Sequence, residues 1–143
     1  MGDSLPEPTG LDFAGIWHSR YRYESSSRNE EHFCEHYVVF KQHGTRLIGE
    51  NVPAVNDSIL KLDLTVRGTT ATGTWSERTS PTGYYRGREY HGAIQLVIDS
   101  TGKAMSGRWV GVDREFNVNS DSWELQWVDA ASASSHRDYR LRA

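Results

Sequence analysis

Cys34 is the only cysteine in the chain, so no internal disulfide can form and no zinc knot built from several cysteines can be assembled. Nothing beside it forces thiolate character, and it reads as a small buried hydrophobe. Long apolar runs are missing as well. None approaches the ~20 residues that span a bilayer, and the opening MGDSLPEPTG has neither the basic region nor the apolar stretch of a secretory signal. A soluble, cytoplasmic protein is the expectation. Charge of one sign is also scarce: 16 basic and 19 acidic residues are interspersed, for a formal net charge of −3. That leaves no broad electrostatic footprint for nucleic acid or an anionic membrane, so neither is expected as a partner. A capped helical period is absent too, except for the tail from Ala130 to Ala143, which could form a short helix or a last strand.

What the chain has is aromatic rings and glycines. Five Trp, seven Tyr and four Phe accompany 13 Gly spread through 143 residues, a mixture that suits many short, half-exposed strands in one domain. The clearest alternation is in ILKLDLTVRG, where Leu60, Leu62, Leu64 and Val66 face one side and Lys61, Asp63, Thr65 and Arg67 the other. Strands are expected at 14–24, 32–42, 46–52, 59–68, 69–78, 93–99, 105–113 and 122–129, separated by turn signals such as His43-Gly44-Thr45 and Gly68. Eight strands with short connections predict an all-β fold: an eight-stranded antiparallel up-and-down β-barrel, since closure removes the sheet edges. An open β-sandwich is the alternative. The expected organisation is a flexible N-terminal lead over 1–13, a barrel domain over 14–129 and a tail over 130–143.

Within the second strand, HFCEH reads as H-x-x-E-H, the pattern of an inverted zinc-peptidase motif. That chemistry needs a helix, where His32 and His36 would share a face and a metal. On a strand the two lie ~13 Å apart, at four rises of about 3.3 Å, too far for one zinc at ~2.1 Å from each ligand. The match is therefore coincidental. Cys34 and His36 are neighbours on one face and could touch one ion, but the sequence shows no further ligand, and no metal is expected.

Strand parity suggests what a barrel would enclose. If Trp17 points inward, so do Ser19, Tyr21 and Tyr23; Trp75 and Glu77 share a face opposite Thr74 and Ser76. Trp109, Trp123 and Trp127 sit at strand spacing and read as core. The connection Tyr84–His91 gathers tyrosines, arginines and an imidazole, which at a barrel rim could stack on a flat ligand while an Arg pairs with an anionic group. Arg108, between Gly107 and Trp109, either faces outward or meets a buried partner such as Glu77. The ligand-binding candidates are thus Trp17, Tyr21, Tyr23, His36, Trp75, Tyr85, Arg86, Tyr90 and Arg108, with Glu77 and His91 as catalytic acid–base candidates. No cofactor is expected: none of the six His is singled out as a haem ligand, although His91 comes nearest. His18, His43 and His136 read as exposed.

Gly15-x-Trp17 at the start of the first strand resembles the G-x-W signature of the lipocalin and calycin superfamily. There the Trp closes one barrel end against a basic residue near the C-terminus, a place that Arg140 or Arg142 could fill. The run from GIWHSRYRYESSSR through HYVVFKQHGTRLIGE to NSDSWELQWVD, roughly residues 14–129, also resembles the β-rich C-terminal domain of actinomycete helix-turn-helix regulators. The resemblance implies a ligand-sensing or accessory domain. About 13 residues precede Ala14, too few for a helix-turn-helix unit, so a stand-alone relative or an excised domain is expected. The leading expectation is a module that senses or carries a hydrophobic or conjugated small molecule in actinomycete secondary metabolism. The alternative is a barrel cyclase or isomerase, folding a polyketide or polyene by shape and proximity and so leaving no triad in the sequence. A third class, an interaction protein with an aromatic outer face, remains. Homodimerisation is compatible with all three.

Overall fold

The computed structural model describes residues 12–25, 30–52, 58–79, 88–112 and 115–130. They form eight strands: β1 (Gly15–Ser25), β2 (Glu30–His43), β3 (Arg46–Asn51), β4 (Ile59–Arg67), β5 (Thr70–Arg78), β6 (Glu89–Ile98), β7 (Ala104–Val112) and β8 (Val118–Asp129). Each pairs antiparallel with the next, and β8 returns to β1, so the sheet is a closed up-and-down barrel rather than a sandwich. No helix among the described residues is long and apolar enough to cross a membrane.

The alternation in β4 becomes a wall with two faces. Leu60, Leu62 and Leu64 are at most 1% exposed, and each contributes roughly 2 kcal/mol by leaving water. Arg46 on β3 and Asp63 on β4 form an outward ion pair at 2.7 Å, which adds little in solvent. β2 begins two residues before its predicted start, and β6 and β8 each begin four residues before theirs. β6 starts at Glu89 rather than residue 93, because the β5–β6 ladder runs out to Arg78↔Glu89. β8 starts at Val118 rather than residue 122, paired with Val112. Charged and aromatic residues disguised the β6 extension and small polar ones the β8 extension.

The two barrel ends differ. β2–β3, β4–β5 and β6–β7 are joined at one end by tight turns, where Gly44 and Gly68 take φ of 63° and 60°, values a residue with a Cβ seldom adopts. The connections β1–β2, β3–β4, β5–β6 and β7–β8 fall at the other end, with residues 26–29, 53–57, 80–87 and 113–114 outside the described set. The tight-turn end is plugged by apolar side chains. Trp17 is fully buried, meets Phe40 edge-on at 6.0 Å, and donates its indole N–H to the Phe13 carbonyl at 2.8 Å. Arg140 and Arg142, named above as its basic partners, lie outside the described residues; the nearby cation over an indole is Lys103, 3.9 Å from the ring of Trp127.

The core begins before β1. Phe13 is 0% exposed and its backbone N–H donates to Gln42 Oε1 at 2.7 Å. Phe13→Ala is therefore expected to cost about 3 kcal/mol in urea unfolding, in line with other buried Phe truncations. A loss below about 1 kcal/mol would mean that residue 13 lies outside the cooperative core.

Candidate functional site

The end with the longer connections is lined by a polar and aromatic cluster carried on strands. Three cross-strand registers build it: Tyr21↔Cys34 and Ser19↔His36 between β1 and β2, and Glu77↔Tyr90 between β5 and β6. Alternation turns Tyr21, Cys34, His36 and Glu77 to the interior. β1 and β5 stand on opposite walls of the closed sheet, and Tyr21 spans the gap: its hydroxyl donates to Glu77 Oε1 at 2.5 Å.

The ring of Tyr21 is fixed from two sides. Trp123 lies 4.5 Å away, and the imidazole of His36 stacks at 6.4 Å with 16° between planes. Trp123 in turn donates its N–H to Ser19 Oγ at 2.8 Å. His36 is buried, with Nε2 3.2 Å from Ser58 Oγ, and Cys34 Sγ lies 3.9 Å from His36 Nδ1. Asn51 positions Ser58 by donating to its carbonyl at 2.8 Å while accepting the Leu60 N–H at 3.0 Å. Farther out, Tyr23 stacks on His32 at 5.2 Å. Cys34, Glu77, Tyr23 and Tyr90 keep intermediate exposure although they face inward, so solvent reaches the interior here.

Trp75 forms the floor, and two glycines make room for it. Its indole crosses β6 at Gly92 and donates to the Val110 carbonyl of β7 at 3.1 Å. A Cβ at Gly92 would stand 1.8 Å from that oxygen and 2.9 Å from the indole nitrogen, and one at Gly111 would stand 2.7 Å from the indole ring. Any larger residue at these positions displaces Trp75 or separates β6 from β7. Trp109 closes the side, edge-on to Trp75 at 5.6 Å and bonded through its N–H to the Arg22 carbonyl at 2.9 Å.

The structure thus brings together Tyr21, His36, Trp75 and Glu77, with Tyr23 and Tyr90 nearer the rim and Trp17 apart, in the opposite plug. It does not bring in His91 or Arg108. Ile94 and Leu96 face inward, so His91 faces out on β6 and is exposed. Trp109 faces inward, so Arg108 faces out, with its guanidinium 3.3 Å from Ser120 Oγ and the Ser120 carbonyl. Residue type suggested both as site members; strand parity excludes both from the interior. Tyr85 and Arg86 lie outside the described residues. Cys34, His32 and Ser58 are additions: the parity that selects His36 also selects His32 and Cys34, whereas nothing in the sequence announces Ser58. On the outer wall, a depression of about 340 Å³ is lined by His18, Arg20, Asp99 and Glu124 among others. Its charges are mixed and open to solvent.

Fold and cluster together define a class: a closed eight-stranded up-and-down barrel, consistent with a lipocalin-like fold, with polar side chains inside one end. No protein-family model matches the chain, and no curated protein matches it. The resemblance to regulator-attached domains thus receives no support from these comparisons.

Burial holds the Tyr21 hydroxyl well above the ordinary phenol range, with the charges of Glu77 and Cys34 adding to the effect, so Tyr21 remains a donor. Because the folded value is raised, the stability linked to this proton is complete below the unfolded value of ~10 and is lost as pH rises through the folded value. Tyr21→Phe is expected to flatten the fall of stability above pH ~10. In a double-mutant cycle with Glu77→Leu, which removes the acceptor, unfolding should give a coupling of about 1.5–3 kcal/mol, as for a hydrogen bond to a charged group. Additive losses would show that the two side chains do not act as a pair.

Proposed function

We propose that this barrel binds a hydrophobic or conjugated small molecule at the end with the longer connections. The observation that carries the reading is the Tyr21–Glu77 hydrogen bond across the interior, in a cluster where Tyr21 and His36 are buried while Cys34, Glu77, Tyr23 and Tyr90 remain partly exposed. Closing a barrel does not require such a cluster. Apolar side chains, Phe13, Trp17, Phe40 and Leu47, fill the plugged end, and polar groups placed inside cost free energy unless their bonds are satisfied. A largely apolar floor with a few convergent polar groups is the usual composition of a small-molecule site. Tyr21, Tyr23, Trp75 and Tyr90 supply flat faces, while Glu77 and His36 supply polar contacts that fix orientation.

The resemblance in wording to the sensing domains of actinomycete regulators points the same way, towards sensing or carrying in secondary metabolism. In this reading the protein works in the cytoplasm, alone or as a homodimer, without contacting nucleic acid or membrane. A second reading, a cyclase or isomerase using the same interior, is favoured by the Tyr21–Glu77 pair itself, which sets a proton donor beside an acceptor where a substrate would lie.

Protein purified gently from a producer of polyketides is expected to retain a small molecule in native mass spectrometry, and Cys34→Trp, which fills the space beside Tyr21 and Glu77, to lose it. Equal retention by the folded variant would move the ligand elsewhere, and an empty wild-type barrel in every extract would overturn the reading. Release of a cyclised or isomerised form of an added precursor would select the enzyme.

A further inference from the structure

We propose that Cys34, His36 and Glu77 form a zinc site with one open coordination position facing the barrel interior. A ligand atom from each of the three, Sγ, an imidazole nitrogen and a carboxylate oxygen, lies within 4.8 Å of the other two. The edges of a tetrahedron around zinc, with bonds of ~2.0–2.3 Å, are ~3.6 Å long. Cys34 Sγ is already 3.9 Å from His36 Nδ1. The site requires rotations of the Glu77 and Cys34 side chains that bring these atoms from within 4.8 Å to about 3.6 Å of one another.

The surroundings assign the donor atoms. His36 Nε2 lies 3.2 Å from Ser58 Oγ; with its proton on Nε2 the ring donates to that hydroxyl and presents Nδ1 to the ion, Cys34 Sγ being about equally far from both nitrogens, at 3.9 and 4.0 Å. The Tyr21 hydroxyl donates to Glu77 Oε1, leaving Oε2 to coordinate. A metal-bound His and a metal-bound carboxylate are each commonly held by such an outer partner. The donor set of one thiolate, one imidazole and one carboxylate suits zinc, whereas the thiolate disfavours magnesium and calcium. Three protein ligands leave the fourth position to water or to a heteroatom of a bound molecule. Cys34 and Glu77 keep intermediate exposure, which provides a route for the ion. A divalent ion would also balance the two negative charges that a thiolate and a carboxylate place inside the barrel.

This site is not the H-x-x-E-H pattern. That pattern pairs His32 with His36, which stand four residues apart on extended β2. The third ligand comes instead from β5, on the opposite wall. The inference goes beyond the small-molecule reading and does not depend on it.

Cobalt(II) added to chelator-treated protein tests the proposal. One equivalent is expected to bind, with a thiolate-to-cobalt charge-transfer band in the near ultraviolet and the strong visible bands of four-coordination. Zinc should displace it. Cys34→Ser should abolish the charge-transfer band while its thermal unfolding stays cooperative, and Tyr21→Phe should weaken zinc about 10-fold, as loss of an outer-shell partner does. The exposed-face variant His18→Ala should bind as wild type does. The proposal is overturned if wild type takes up no stoichiometric cobalt or zinc, if bound cobalt shows no charge-transfer band, or if folded Cys34→Ser binds unchanged. Retention of an organic molecule by protein that binds no metal would remove the zinc site and leave the small-molecule reading standing.

Discussion

The pairing of β1 with β8 is the constraint on which the interior depends. It runs from Ile16↔Asp129 to Tyr21↔Trp123, with a shift of register between Ile16 and Trp17. In an open sheet these strands would be two unsatisfied edges, and Tyr21 would have no facing wall. Closure places β1 opposite β5, and only then do a phenol at residue 21 and a carboxylate at residue 77 meet. The Trp123–Ser19 bond lies inside this seam, so the residues that close the barrel also hold the ring of Tyr21.

Closure fixes geometry but not chemistry, and the two ends use the enclosed space differently. Beside the tight turns, Phe13, Trp17, Phe40 and Leu47 are at most 1% exposed and fill the interior with apolar atoms. At the other end, Tyr21, Cys34, His36 and Glu77 occupy positions that Leu or Val could fill with less desolvation cost. A buried polar group left unsatisfied costs about 1–3 kcal/mol. The contacts of Ser58 with His36 and of Asn51 with the Ser58 carbonyl offset that cost locally. Satisfying these groups takes a chain of partners across β1, β2, β3 and β5, a larger commitment than barrel stability alone requires.

Most of the wall was legible from alternation, because a period of two assigns every second residue to one face once any member is placed. β4 is the clearest case, and the face carrying Trp17, Ser19, Tyr21 and Tyr23 followed from Trp17 alone. Proximity across the lumen was not legible. Tyr21 and Glu77 are 56 positions apart, and their meeting depends on strand number and stagger, which no local pattern encodes. His91 and Arg108 entered the site list on side-chain chemistry, and parity, which decides the matter on a strand, places both outside. The same rule disposes of H-x-x-E-H as a helical motif yet keeps Cys34 beside His36. The third member of that group was already among the candidates as Glu77, but nothing in the sequence connected them.

The location of the cluster also bears on how it would work. Tyr21, Cys34, His36, Trp75 and Glu77 all sit within strands; Tyr21, Trp75 and Glu77 are paired to both neighbouring strands, and Cys34 and His36 to β1, so the sheet holds their backbones before anything binds. A site preorganised in this way would lose little conformational entropy on binding, and its selectivity would rest on the shape between Trp75, Trp109 and Tyr21. The β1–β2, β5–β6 and β7–β8 connections can then vary in length and composition without disturbing the polar groups, whereas the β3–β4 connection carries Ser58, the partner of His36. In the proposed reading, recognition at the rim and chemistry in the interior would thereby be separable, as when variable loops surmount a rigid barrel.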